Sequence, residues 1–258
     1  MTTYQKPFTR LWRPMKNYTN SIDEIFALDS QISAPTINYL KDGRFADQSE
    51  KKSLITSAHL IIKDLYELFY YIEPCDNNKS TYSHRIYELF LRTCTEIEAN
   101  FKGILSTNLY KKQGDFKMRD YFKVEDFSKL SEYEITFERW KEQYALRPFE
   151  QWNSTTYQSL PWYQAYNNVK HNRYNNFTDA NFDNLMNSIG ALLIVLHAQY
   201  GEDMAETCFS NISLIQNNQY EVHTDTFILK TPLFTNEEYD FIWDDIKNET
   251  DPVTNYKF

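Results

Sequence analysis

Two stretches of the chain, 47–72 and 82–105, repeat apolar residues every three or four positions. Leu54, Ile55, Ile61, Ile62, Leu65, Leu68 and Phe69 mark the first; Ile86, Phe90, Cys94, Ile97, Phe101 and Ile104 mark the second. That period gathers the apolar side chains on one face of an α-helix, whereas a half-buried strand would alternate them. Pro74 stops the first helix, because its ring removes the N–H that the ladder needs. The polar link 75–81 is short, so the two helices are expected to pack antiparallel.

A second pair follows. Pro161 suits the first turn of a third helix, whose apolar stripe is Trp162, Ala165, Tyr166 and Val169. This helix gives way near Arg173. Thr178 is the expected cap of a fourth helix over 179–200, with Leu185, Ile189, Leu192, Leu193 and Leu196 facing inward and Gly201 at its end. Between the pairs, YEITFERW at 133–140 alternates partly and reads as a strand, with 144–149 as its return. Further on, 220–229 reads as strand, and Thr235-x-x-Glu238 is a capping box opening a last helix. The expected architecture is mainly α. A four-helix up-down bundle occupies 47–200, with a small β insertion at about 131–150. An N-terminal arm with a short helix near 21–28 precedes it (1–46), and a C-terminal strand/helix appendage follows (201–258).

Composition removes several function classes. The five glycines, Gly43, Gly103, Gly114, Gly190 and Gly201, form neither GxGxxG nor GxxxxGK[ST]. Both phosphate-cradling loops need glycine where the backbone nears the phosphate, so Rossmann and P-loop chemistry is excluded. GxSxG and HExxH are absent too. Cys75, Cys94 and Cys208 form no CxxC pair, which argues against a disulfide framework and a thiolate zinc site. No cofactor and no metal are expected, and a reducing, cytoplasmic setting fits. No window approaches the ~20 apolar residues of a membrane span, and the N-terminus does not read as a secretory signal. The net charge of −9 opposes extended duplex binding. Charge is uneven, however. Lys102, Lys111, Lys112, Lys117, Arg119 and Lys123 crowd 102–123, a local patch able to hold phosphate, while 237–251 is strongly acidic.

The segment WYQAYNNVKHNRYNN, 162–176, concentrates amides, Lys170, His171 and Arg173 at a helix end. An imidazole can move protons, and cations can stabilise charge on phosphate oxygens. At about 100° per residue, Asn167, Asn168 and His171 share one face, with Lys170 and Arg173 on another beside Tyr166. His171 and Arg173 converge only if the helix ends near His171 or a second chain supplies one of them. The alternative is structural: Lys170 and Arg173 pair with carboxylates of a neighbouring helix and His171 binds backbone. Arg85, Glu88, Arg92 and Glu96, spaced by three and four on the second helix, are either a solvated ion-pair face or a polar wall facing Lys170 and His171.

The order of helices and the phrase YNNVKHNR, followed by an apolar helix, resemble the HEPN family (higher eukaryotes and prokaryotes nucleotide-binding), over about 47–200 of the chain. The resemblance implies a metal-independent endoribonuclease of antiviral defence or toxin–antitoxin biology, acting as a homodimer with a composite site. His171 would then transfer the proton, Arg173 and Lys170 would stabilise phosphate, and Asn168 would position it. The family's motif places Arg a few residues before His; here Arg173 follows His171 and the nearest preceding arginine is Arg147. The same helices also suit a non-catalytic RNA- or nucleotide-binding module, or one that binds a protein partner.

Overall fold

The computed structural model describes residues 6–12, 48–201, 204, 211–216, 219–232, 249–251 and 253–258. The helix expected near 21–28 and the capping box at Thr235 and Glu238 lie outside them. Helix α1 (Gln48–Leu68) stops short of the expected end. Beyond Leu68 the amides of Tyr70 and Tyr71 bond three residues back, to Glu67 and Leu68, so the last turn tightens before Pro74. Helix α2 (His84–Thr107) starts where Ser83 accepts the Ile86 N–H at 3.1 Å. Its whole predicted stripe, from Ile86 to Ile104, is buried.

After α2 come two single turns, α3 (Met118–Tyr121) and α4 (Glu125–Ser128), and a hairpin, β1 (Glu134–Phe137) with β2 (Ala145–Leu146). Pro161 opens α5 (Pro161–His171), which buries Trp162, Ala165, Tyr166 and Val169. A single turn, α6 (Arg173–Asn176), follows directly. Helix α7 (Phe182–Tyr200) is capped by Asn181, whose side chain accepts the Asn184 N–H at 2.9 Å. Thr178, the expected cap, lies instead in a 3-10 turn, Phe177–Asp179. Nearly every side chain of α7 is buried, the pattern of a helix enclosed on all sides. It packs on α1, α2 and α5, and α2 also packs on α1 and α5.

The C-terminal strands are β3 (Asn211–Gln216), β4 (Gln219–Thr224) and β5 (Phe227–Lys230). The single strand expected at 220–229 is therefore two. Between them the Thr224 hydroxyl accepts the N–H groups of Thr226 and Phe227, at 3.1 and 2.9 Å, and reverses the chain. All pairings are antiparallel, in the order β2-β1-β5-β4-β3. The expected insertion and appendage thus form one sheet, with Ile135 opposite both Leu146 and Leu229. The inner face, which includes Ile135, Phe137, Phe227 and Leu229, joins the helical core. It nears α7 at Gly190, where an added Cβ would meet Ile135 at 3.0 Å. The described protein is mainly helical with a small antiparallel sheet, and no helix among the described residues is long and apolar enough to cross a membrane.

Residues 6–12 strap across the far end of α2 and α7. Arg10 is buried, with Nε and Nη2 donating to Gln199 Oε1 (3.1 and 2.9 Å) and Nη1 to Glu50 (2.8 Å). Gln199 Nε2 in turn donates to Asn100 Oδ1 at 2.8 Å. The guanidinium has room because Gly103 carries no side chain: a Cβ there would lie 2.4 Å from it. Gly103→Ala is expected to cost roughly 1–3 kcal/mol in urea unfolding, by overpacking a bonded guanidinium. An unchanged midpoint would show that Arg10 swings aside freely.

Glu125 forms a second, half-buried polar joint, accepting the Ser131 N–H at 3.1 Å and the Ser131 hydroxyl. Burial pushes its carboxyl up to about 7, against the pull of those donors. Its folded value lies above its unfolded one, so its share of stability is present below the unfolded value of ~4.3 and is lost as pH rises through about 7. Glu125→Gln is expected to flatten the pH dependence of unfolding over that window, as read by chemical denaturation at a series of pH values.

Candidate functional site

The segment 162–176 is a helix with a break in it. Asn172 (φ −147°, ψ 72°) leaves the helical region, so α5 ends at His171 and Arg173 opens α6. Asparagines hold the break. The Asn172 side chain accepts the Asn175 N–H at 3.4 Å, and its carbonyl accepts from Asn176 Nδ2 at 2.9 Å. Asn168 Nδ2 donates to Asp179 Oδ2 at 2.9 Å, tying α5 to the turn before α7. Asn168 is thus a positioning residue within the fold, and Asn167 is half-buried beside it.

Lys170 turns toward α2. Its Nζ donates to the Tyr166 hydroxyl at 2.8 Å and lies 3.8 Å from Glu98 Oε1. Tyr163 donates to the same Glu98 oxygen at 2.7 Å. The bond to Tyr166, opposed by burial and aided by Glu98, raises the Lys170 pKa. Burial above all, with the neighbouring Glu98 charge, raises the pKa of Tyr163. This cluster is half-buried and internally satisfied.

Arg173 lies nearer the start of α2. Its guanidinium lies 5.4 Å from the Tyr87 ring and 6.0 Å from the Phe177 ring. The His84 ring is 4.8 Å from Phe177, and Tyr82 is 5.6 Å from it. Phe177 is therefore the hub of an outward-facing group of Tyr82, His84, Tyr87 and Arg173. His171 and Tyr174 are exposed beside it, Tyr174 at 95%. Among the described residues, no hydrogen bond orients the His171 imidazole and no carboxylate pairs with Arg173.

The polar series on α2 lies toward α1. Arg85 is 3.6 Å from Glu67, 3.9 Å from Asp64 and 3.6 Å from Glu88. Arg92 pairs with Asp64, and Glu96 is half-buried. The antiparallel α1 presents acids along that face, so Arg85 and Arg92 pair there. The side of α2 that meets α5 and α6 instead carries Tyr87, Leu91, Cys94 and Glu98, spaced four, three and four. That spacing was readable in the chain; the place of His84 and Phe177 was not, because it depends on the turn at Asn172.

Chemically, the exposed group offers a cation on an aromatic bed, two imidazoles and rings able to stack on a base. Cys75 and Cys94 are buried free thiols. Among the described residues, no group of three or more His, Cys, Asp or Glu is placed to hold a metal ion. No family model, curated protein or solved structure matches the chain.

Tyr166→Phe removes the acceptor that raises the Lys170 pKa. The Lys170 pKa is expected to fall toward the ordinary lysine value in an NMR titration of its side-chain carbon. No movement would assign the rise to Glu98 alone.

Proposed function

We propose that the protein is a HEPN-like, metal-independent endoribonuclease serving antiviral defence or toxin–antitoxin biology. Its helices α1, α2, α5 and α7 form the up-down bundle of such a protein. The observation that carries the reading is the break at Asn172, which leaves His171 and Arg173 exposed on consecutive helical segments. Among the described residues, no hydrogen bond holds the His171 imidazole and no carboxylate pairs with Arg173, whose guanidinium rests on the Tyr87 and Phe177 rings. Cleavage without a metal uses the substrate's own 2′-hydroxyl. His171 takes its proton, the oxygen attacks the adjacent phosphorus, and the P–O5′ bond breaks to leave a 2′,3′-cyclic phosphate. Arg173 faces the charge gathering on the phosphate oxygens, and the 5′-oxygen leaves with a proton from a second acid. A homodimer, with two such segments facing each other, supplies that acid as the second His171. Lys170 is held by Tyr166 and Glu98 and adds positive charge beside the segment.

A second reading is a non-catalytic RNA- or nucleotide-binding, or protein-binding, helical module. It is favoured by the exposure of His171 without an orienting hydrogen bond among the described residues, since catalytic imidazoles are usually held by a neighbour.

Incubation of purified protein with RNA in excess chelator separates the two. Under the first reading cleavage leaves cyclic-phosphate ends, His171→Ala loses about 100- to 10,000-fold and Arg173→Ala about 100-fold or more. Equal rates in wild type and His171→Ala would remove the nuclease.

A further inference from the structure

The stretch 102–123 holds six basic residues against two acidic ones, on a chain of net charge −9. The fold gathers it at the C-terminal end of α2. His84 marks the other end, so Lys102 lies about 27 Å along the helix axis from the outward group around Phe177. This basic surface takes no part in the site described above.

Asp120 organises it. Its buried carboxylate accepts the Lys117 N–H at 2.7 Å, Lys112 Nζ at 2.6 Å and the Tyr110 hydroxyl at 3.2 Å. Burial alone would raise its pKa, but Lys112 and the other donors outweigh it and hold the carboxyl below its ordinary value. One carboxylate therefore fastens both ends of the exposed loop 111–117, which turns at Gly114 (φ 80°). Lys102, Lys111, Lys117 and Arg119 remain exposed, and none of the four pairs with a carboxylate among the described residues.

Aromatic rings lie between these charges. Arg119 lies 5.5 Å from the Tyr157 ring and Lys123 5.6 Å from the Tyr110 ring, which is itself 5.6 Å from Phe116. All three rings are half-buried. Cations that track a backbone, alternating with ring faces, match a single strand of nucleic acid, in which phosphates alternate with flat bases. A lipid surface calls for several projecting apolar side chains; here Leu109 is the exposed large one among the described residues of the patch.

We infer that this face is a platform for single-stranded RNA, remote from the α5–α6 break. The inference rests on the RNA-directed reading above and gives that substrate a second contact. The platform supplies the length-dependent, salt-sensitive part of the affinity. Counterions released as Lys111, Lys117 and Arg119 neutralise phosphates set its salt slope.

The test uses a fluorescent 2′-O-methyl oligouridylate, which lacks the attacking hydroxyl, with anisotropy read across a salt series. The wild type is expected to bind. The triple variant Lys111→Glu, Lys117→Glu, Arg119→Glu is expected to bind on the order of tenfold or more weakly, with a slope of log affinity against log salt shallower by about two. The milder Lys111→Gln, Lys117→Gln pair, with unchanged circular dichroism and melting temperature, is expected to lie between them. Equal affinity and slope in wild type and both variants would overturn the inference. So would binding to vesicles of phosphatidylserine but not to the oligonucleotide. Salt-sensitive binding that depends on these residues, with no cleavage of ordinary RNA by wild type, would remove the nuclease reading and leave the platform standing.

Discussion

Helix α7 must be covered on every side. From Leu185 to Tyr200 nearly all of its side chains are buried, and most are apolar. Fully burying one such side chain is worth roughly 1.5–3 kcal/mol. No single partner can cover a helix that is apolar all round. Helices α1, α2 and α5 take part of it, the sheet comes close at Gly190, and the strap 6–12 closes its end through Trp12, whose N–H bonds Ala198 O at 2.9 Å. The joining of β1 with β5 follows from the same need, since each strand alone has one apolar face and nothing else to bury it on. The one packed core draws on residues as distant in sequence as Phe8 and Leu229.

The polar ends of this arrangement are divided between structure and exposure. Charges between the helices find partners: Arg85 and Arg92 on α1, Lys170 near Glu98. Such exposed or half-exposed pairs stabilise little, about 0–1 kcal/mol each, but they fix which way the side chains turn. The break at Asn172 does the reverse. It ends the α5 ladder and starts a new turn, so His171 and Arg173 are left exposed. Arg173 then rests on Tyr87 and Phe177 with its hydrogen-bonding edge available to solvent. At the opposite end of α2, Asp120 gathers its donors inward and leaves four neighbouring cations outside. An acidic chain thus keeps two separate cationic regions, one sparse and aromatic, one dense.

The chain by itself determined its helices, because a three-to-four period of apolar residues is a local signal. Pro161 and Gly201 also act locally, through a missing N–H and a left-handed φ, and so their roles could be read from sequence. Residue type likewise marked 162–176 and 102–123 as unusual. Tertiary structure decided what distance in sequence conceals. It paired strands some ninety residues apart, as Glu134 and Lys230, because a strand's partner depends on which apolar face remains uncovered. It chose Asn181 over Thr178 as the cap of α7, since Asp179 is held by Asn168 and the turn must close first. It turned Arg85 and Arg92 to α1, where acids waited, and brought His84 to Phe177, which no spacing along one helix encodes. Periodicity reports which face of an element is buried; only packing selects the neighbour that buries it.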